Sequence, residues 1–363
     1  MKLYSGVLGS IKLAGSTVHT WNCFRKANIA ASSVKVERSV ISQKGSMGNT
    51  PLGCAARHGQ EGVVKMLLAR DDIDPNESDI RGLTPLLWAA LNGHEGVVKM
   101  LLSRGDTELN GNDMFDRTPL WMAVSDGHSG VVKMLLEQDD TNPNCFDKHD
   151  VTPLGLAISN GDLGLVKMLL GRDDIDPNMV GCLFDGIPLV MAAKRGHEGV
   201  VKLLLERGDI EPNKVARDGQ TALWYAASRG HEGVVKLLLE RDDIEPNKVE
   251  WYAETALWEA THNGHKGVVR LLLDHGGVSY NRPSRRGQAS LSITARYGHV
   301  ELISLLQTLA DAAHKTTEAR RGIGLVTTFR YRVNSQHMDP TITATAQIST
   351  FLFFLCAPSL LSP

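Results

Sequence analysis

The sequence is poor in cysteine, and the few cysteines that it has are scattered. Five occur in 363 residues, and no two of them form a Cys-x-x-Cys pair. Zinc modules and disulfide frameworks need clustered or paired cysteines, so the sequence argues against both. Scattered, unpaired cysteines are typical of a reducing compartment. We expect the chain to act in the cytoplasm, with the nucleus as the alternative.

Motifs that carry catalysis or bind cofactors are also missing. The His-Glu pair at residues 94–95, like its two copies, lacks the second histidine of a zinc-protease helix, because Val98 stands at that position. No Gly-Lys-Ser/Thr phosphate loop and no Gly-x-Ser-x-Gly nucleophile motif occurs. The acidic loops, such as residues 71–74, lack the glycine and terminal glutamate of a calcium-binding EF-hand. We therefore expect a protein without enzymatic activity, cofactor or metal.

Apolar runs are too short to span a membrane. The longest one, residues 348–361, is interrupted by Pro358, whereas a spanning helix needs roughly 20 residues. We expect residues 313–363 to form a disordered tail, with a weak membrane contact as the alternative.

The first 36 residues contain no acid. A transit peptide is one interpretation of that composition, although Arg25 is the only arginine there. We interpret residues 1–44 as a non-repeat segment and predict that part of residues 24–42 caps the first repeat. An unrelated flexible arm is the alternative.

Charge is unevenly distributed along the chain. The net charge is −2, yet residues 1–44 hold seven Lys/Arg and one acid, and residues 314–363 hold five Lys/Arg and two acids. The region between them is therefore strongly acidic, at −11. The distribution of charge is more informative about partners than its sum.

The chain repeats itself every 34 residues. The string Gly-His-Glu-Gly-Val-Val-Lys begins at Gly93, Gly196 and Gly230, and near-copies begin at five other glycines. A Thr-Pro-Leu string, or a variant of it, precedes each copy. A fixed period of this length indicates stacked supersecondary units that share one core. Eight units account for residues 45–312.

Each unit predicts a pair of helices. In residues 79–112, Thr84 can cap a first helix, Pro85 occupies its first position, and Gly93 ends it. A second helix is predicted from about Glu95 to Ser103, with one apolar stripe. The repeated histidine, His94 in this unit, is predicted to form a hydrogen bond with the backbone rather than to bind metal.

The pattern Gly-x-Thr-Pro-Leu-x-x-Ala-Ala-x-x-Gly-His-x-x-x-Val-x-x-Leu-Leu resembles the ankyrin repeat, in a 34-residue variant similar to that of fungal proteins. The resemblance covers about 270 of the 363 residues. It implies an all-α solenoid of stacked helix-turn-helix units with β-turn or hairpin fingers. Such a protein binds other proteins along a concave face.

The chain departs from the family pattern at several positions. The family's histidine after Thr-Pro-Leu is replaced, for example by Trp121 and Trp224, and we expect apolar packing instead of its hydrogen bonds. Asp116 and Asp150 occupy the turn glycine position, where aspartate tolerates a left-handed conformation. One inserted residue and the missing threonine before Pro188 predict a local irregularity.

The resemblance implies that the concave face is lined by the turn tips and by the exposed residues of the first helices. Those positions hold eleven cations and only three acids, Asp126, Asp218 and Glu254. Aromatic residues accompany the cations, as at protein interfaces. The predicted partner-binding residues are Arg57, Arg81, Phe115, Arg117, Lys148, Lys194, Arg195, Arg217, Arg229, Trp251, Tyr252, Arg285, Arg286 and Arg296.

These observations lead to one functional hypothesis. We expect a monomeric, non-enzymatic scaffold whose basic groove captures an acidic segment of a protein partner, with no small-molecule substrate. The alternative is the recognition module of a larger signalling or innate-defence receptor. Nucleic-acid binding is less favoured, because acidic loops alternate with the basic positions.

Overall fold

The computed structural model describes residues 48–181, 186–248 and 254–278. Seven repeats, each with a first and a second helix, fill these ranges, and no strand occurs in them. The helices are α1 (Pro51–Arg57), α2 (Glu61–Leu68), α3 (Pro85–Asn92), α4 (Glu95–Leu102), α5 (Pro119–Ser125), α6 (Ser129–Leu136), α7 (Pro153–Asn160), α8 (Leu163–Leu170), α9 (Pro188–Arg195), α10 (Glu198–Leu205), α11 (Ala222–Arg229), α12 (Glu232–Leu239), α13 (Ala256–His262) and α14 (Lys266–His275).

Threonine begins most of the first helices. The Thr84 hydroxyl accepts a hydrogen bond from the Leu87 amide at 3.2 Å, and Pro85 supplies the fixed φ of the first turn. This satisfies an amide that would otherwise lack a partner at the helix start. Gly93 ends α3 with φ 72°, a left-handed conformation that glycine adopts without a steric penalty. The predicted start and end of this helix are confirmed.

Successive repeats share one continuous core. Within each repeat the two helices pack together, first helices pack against first helices of the next repeat, and second helices against second helices. Val97, Val98 and Leu101 of α4 are fully buried between neighbours. A single repeat exposes these faces, so the stack gains its stability from the contacts between repeats.

The repeated histidine joins repeats 2, 3, 6 and 7 to the repeats that precede them. His94 Nε2 lies 3.0 Å from the Arg57 carbonyl oxygen, and His128 Nε2 lies 3.1 Å from that of Leu91. His231 and His265 make the equivalent contacts with Lys194 and Ser228. The predicted hydrogen bond of these histidines with the backbone is confirmed.

A recurring asparagine makes a second link between repeats. Asn110 Nδ2 donates to the Asp140 carbonyl at 2.7 Å, and Asn110 Oδ1 accepts from the Asn142 amide at 2.8 Å. The same two-way contact with the next loop is made by Asn76, Asn144, Asn178 and Asn213. The loop after each second helix is therefore a structural joint and not only a helix-ending turn.

Arginines in the same loops cap the preceding repeat. Arg104 Nη1 donates to the Leu68 carbonyl at 3.0 Å, at the C-terminal end of α2, while its other nitrogens bind the Asp106 carboxylate. Arg172, Arg207 and Arg241 of repeats 4, 5 and 6 make the equivalent contacts with the carbonyls of Leu136, Leu170 and Leu205. One aspartate in each of these loops is thus paired with the loop arginine.

Repeat 5 departs from the pattern, as predicted. Ile187 precedes α9 without a side-chain cap, because threonine is missing there. The buried Nε2 of His197 has no hydrogen-bond partner, unlike the histidines of repeats 2, 3, 6 and 7. Residues 182–185 lie outside the described residues.

The predicted segments at the two ends also lie outside the described residues. They are the N-terminal cap, the eighth repeat near residue 287 and the tail. Within the described part of the chain, no helix is long and apolar enough to cross a lipid bilayer.

Candidate functional site

The turn before the first helix is held by a buried aspartate in repeats 2, 3 and 4. In residues 79–83 the Asp79 amide donates to the Leu83 carbonyl, and Asp79 Oδ1 accepts from the amides of Arg81 and Leu83 at 2.9 and 3.0 Å. Asp113 and Asp147 repeat this arrangement. We call these turns fingers; they comprise residues 79–83, 113–117, 147–151 and, with Ala216 in place of aspartate, 216–220.

Adjacent fingers are bonded in register. The Met114 amide donates to the Arg81 carbonyl at 2.9 Å, and the Lys148 amide donates to the Phe115 carbonyl at 2.9 Å. Asp116 and Asp150 take positive φ, 61° and 54°, at the turn position where repeats 2 and 6 have glycine. Their predicted left-handed conformation is confirmed, and the fingers of repeats 2–4 form one row.

Fingers and the ends of first helices lie on the same side of the stack. The Arg57 guanidinium, at the end of α1, and the Arg81 guanidinium, in a finger, both lie over the buried Trp88 ring, 4.5 and 5.1 Å from its centroid. In repeats 5 and 6, Lys194 Nζ lies 4.5 Å from the Tyr225 ring. We call this surface the finger face: the fingers together with the C-terminal residues of α1, α9 and α11.

The finger of repeat 6 belongs to the same surface. The Tyr225 hydroxyl donates to the Asp218 carboxylate, one residue from the exposed Arg217. Lys194 is therefore linked to this finger, because the Tyr225 side chain that it contacts is bonded to Asp218. Arg229 is exposed at the C-terminal end of α11. Arg195 lies beside Lys194, with Nη2 3.1 Å from the Ser159 hydroxyl.

The structure brings seven of the predicted cations onto this face. Lys148, Arg217 and Arg229 are exposed, and Arg57, Arg81, Lys194 and Arg195 are half-buried. Trp251, Tyr252, Arg285, Arg286 and Arg296 lie outside the described residues.

Arg117 departs from the expectation. Arg117 is only 4% exposed, and Arg117 Nε lies 3.0 Å from Asp113 Oδ2 in a buried ion pair. The equivalent position in repeat 2 holds the buried Leu83, so Arg117 belongs to the core edge of the finger. Its charge is neutralised there and does not contribute to a partner surface.

Phe115 is half-buried between two cations. Its ring centroid lies 4.8 Å from the Arg117 guanidinium carbon and 4.0 Å from Lys148 Nζ. Asp116 and Asp150 add two carboxylates to these fingers that the count of three acids leaves out. The fingers of repeats 3 and 4 thus hold four carboxylates and two cations, and the cations of the finger face concentrate in repeats 5 and 6.

Two exposed residues of the fingers were not predicted. The Ile80 side chain, at a finger tip, and Phe146, just before a finger, are exposed. Their signal in the sequence is a large apolar residue next to turn-forming aspartate, at positions where Lys148 and Arg217 align with Ile80 and where Ser78 and Asn112 align with Phe146. Burial cannot explain such residues at the tip of a turn.

Tryptophans in the place of the family's histidine behave differently from one another. The Trp121 indole Nε1 donates to the Val151 carbonyl of the next finger at 2.9 Å, so Trp121 makes a hydrogen bond between repeats, contrary to our expectation of apolar packing. Trp224 is half-buried, and its Nε1 has no partner.

Glu259 is an acid in a position where Tyr225 and Met191 stand in the preceding repeats. The residue is 9% exposed, and Glu259 Oε2 accepts from Asn263 Nδ2 at 3.1 Å and from the Ser228 hydroxyl at 3.4 Å. Burial, and secondly the Glu254 carboxylate, raise the pKa of Glu259 to about 7.

We predict that Glu259 lowers the free energy of unfolding as the pH rises from about 4.5 to about 7. In that range the Glu259 carboxyl is ionised in the unfolded state but still protonated in the folded state. Its contribution to the free energy of unfolding therefore decreases by about 1 to 3 kcal/mol as the pH rises, and stays constant above about pH 7. Glu259→Gln keeps the shape and removes the titration. Urea unfolding at pH 5 and pH 8 should show the loss in the natural chain and little of it in the variant. Equal losses in both would contradict the assignment.

Neither the Cys145 thiol nor any cluster of metal-ligating side chains offers reactive chemistry within the described residues. Burial raises the pKa of the Cys145 thiol to about 11, so it is protonated at neutral pH. No group of three His, Cys, Asp or Glu side chains within residues 48–181, 186–248 and 254–278 could hold a metal ion.

Comparison with known proteins assigns the family. The family model described as "Ankyrin repeats (3 copies)" matches residues 27–113, 105–181 and 156–250, and the model "Ankyrin repeat" matches residues 253–285. Together these matches cover more than half of the chain. The chain therefore belongs to the ankyrin-repeat family.

Two solved ankyrin-repeat structures are similar to this chain. The ankyrin repeat domain of human ASB11 is 27% identical, over 58% of this chain and 91% of that chain, with a TM-score of 0.48. The ankyrin repeat protein EF0377 is 26% identical, over 53% of this chain and 97% of that chain, with a TM-score of 0.49. A comparison with curated proteins gave no match. Ankyrin repeats generally mediate protein–protein interaction, and the family is typically non-enzymatic.

Proposed function

We propose that this protein is a non-enzymatic scaffold that binds an acidic segment of a protein partner through the finger face. The observation that carries the proposal is the group of cations on that face in repeats 5 and 6, Lys194, Arg195, Arg217 and Arg229. The nearby Asp218 carboxylate is already engaged by the Tyr225 hydroxyl. Cys54 and Cys145 form no disulfide, which suits the reducing cytoplasm, where we place this activity.

The charge pattern favours an acidic partner over a basic one. The repeat region as a whole is acidic, but acids recur in the loops after the second helices, where Asp106 pairs with Arg104 and Asp174 with Arg172, whereas the cations of repeats 5 and 6 lie on the finger face. A local patch of cations attracts an acidic segment and orients it, which raises the association rate more than the affinity.

Charge reversal tests this proposal. The finger-face variant carries Lys194→Glu, Arg217→Glu and Arg229→Glu; the control variant carries Lys65→Glu, Lys99→Glu and Lys202→Glu at exposed positions of second helices. Both change the net charge equally. Stopped-flow association is measured with a fluorescent 12-residue peptide containing four glutamates.

The finger-face variant should associate at least about tenfold more slowly at low salt, and the difference should shrink at high salt because the charges are then screened. The control variant should lose much less. Equal losses in the two variants, or no binding of the acidic peptide to the natural chain, would overturn the proposal.

A further inference from the structure

The finger face carries a second feature, a row of exposed apolar side chains. Ile80 is 72% exposed, Met114 is 62% exposed and Phe146 is 50% exposed, in three successive repeats. Large apolar residues grouped on a surface are unusual in a monomer and mark interaction sites. The hydrogen bond from the Met114 amide to the Arg81 carbonyl joins the two neighbouring fingers whose tips carry Ile80 and Met114.

The chemistry of the tips changes along the stack. The same tip position holds Ile80 in repeat 2, Met114 in repeat 3, Lys148 in repeat 4 and Arg217 in repeat 6. Charges are nearly balanced around the apolar tips, because Arg117 is paired with Asp113 and Asp116 lies in the same finger. The face is therefore apolar at repeats 2 and 3 and basic at repeats 5 and 6.

We infer that the partner segment is bipartite: an extended stretch of protein with an apolar anchor for the Ile80 and Met114 tips and acidic side chains for the cations of repeats 5 and 6. This inference rests on the proposed function and adds the apolar half of the segment and the spacing between its two parts. An acidic segment without an anchor would leave the apolar tips in water, where they contribute nothing to binding.

The spacing follows from the repeat geometry. Ile80 belongs to repeat 2 and Lys194 to repeat 5, so three repeats separate them. Neighbouring helices pack about 8–10 Å apart, which gives a span of roughly 24–30 Å. An extended chain covers about 3.3–3.6 Å per residue, so roughly eight residues separate the anchor from the first acid.

A peptide selection on the full chain tests the inference. Random 16-residue peptides displayed on phage are selected on the natural protein, and a synthetic peptide of the enriched sequence is then titrated against three variants. The tip variant carries Ile80→Ser and Met114→Ser. The cation variant carries Lys194→Glu and Arg217→Glu. The control carries Met66→Ser, since Met66 is an exposed methionine on a second helix.

The inference expects enriched peptides with large apolar residues about eight positions from a group of acids. The tip variant should bind the peptide at least about tenfold more weakly with an unchanged salt dependence, because two apolar contacts are lost. The cation variant should bind more weakly and lose salt dependence. The control should bind as the natural chain does.

The other outcomes separate the two proposals. Peptides enriched in acids alone, or a tip variant that binds as tightly as the control, would overturn the bipartite segment and leave the proposed function standing. Apolar peptides without acids would overturn the acidic partner itself. A natural chain that self-associates, with a monomeric tip variant, would show that a second copy occupies the tips and would also overturn the inference.

Discussion

Replacing Asp113 with alanine should destabilise the protein by about 3 to 5 kcal/mol, because the buried Arg117 guanidinium loses its carboxylate. The amides of Phe115 and Arg117 lose their acceptor in the same substitution. The free energy of unfolding, measured by urea denaturation, reports the loss.

Two controls isolate the cost of the unpaired charge. Asp79→Ala removes the same backbone contacts from repeat 2, but Arg81 lies 3.5 Å from Asp79 and is partly exposed, so its loss should be smaller. Arg117→Leu leaves the buried Asp113 carboxylate with only its backbone amide donors, because Phe115 stands where repeat 2 has Arg81, so this variant should also be destabilised. Equal losses for Asp113→Ala and Asp79→Ala would show that the charge is solvated.

Replacing Gly93 with alanine should cost about 2 to 3 kcal/mol, from a left-handed backbone and a displaced histidine. Gly93 has φ 72°, and a Cβ atom there would lie 2.5 Å from His128 Nδ1. The His128 ring would have to move away from the Leu91 carbonyl that it contacts.

Two other glycines separate these causes. Gly127 has φ 77° with no atom within 4 Å of a built Cβ, so Gly127→Ala should show the backbone term alone, about 1 to 2 kcal/mol. Gly62 lies in α2 with free space around it, and Gly62→Ala should stabilise by about 0.5 to 1 kcal/mol. Thermal unfolding of the three variants tests the order. Equal effects at Gly93 and Gly127 would mean that the histidine contact contributes nothing.

The sequence predicted the helices well because their signals are local. Thr84, Pro85 and Gly93 act within one helix, so the observed α3 begins and ends where they stand. The second helix α4 runs from Glu95 to Leu102, one residue shorter than predicted.

The asparagine link was not predicted, although asparagine recurs in the loops. Asn110 is also a common turn residue, and its partners, at Asp140 and Asn142, lie 30 and 32 residues away. Recurrence alone does not reveal a contact with the backbone of a neighbouring repeat.

The candidate site was predicted less completely than the fold. Lys148 and Arg117 are both cations within fingers, yet one is exposed and the other buried. The difference is set by register, because Arg117 occupies the position of the buried Leu83. The apolar tips were missed because exposed isoleucine and phenylalanine read as core residues in a pattern of hydrophobicity.

The central claim is that the finger face is the surface that holds the partner. Hydrogen–deuterium exchange of the full chain, with and without the selected peptide, tests it most directly. The account predicts slower exchange of the amides in residues 79–83, 113–117 and 216–220, and unchanged exchange in the loops that contain Asn76 and Asn213. Protection confined to those loops or to the second helices would contradict it.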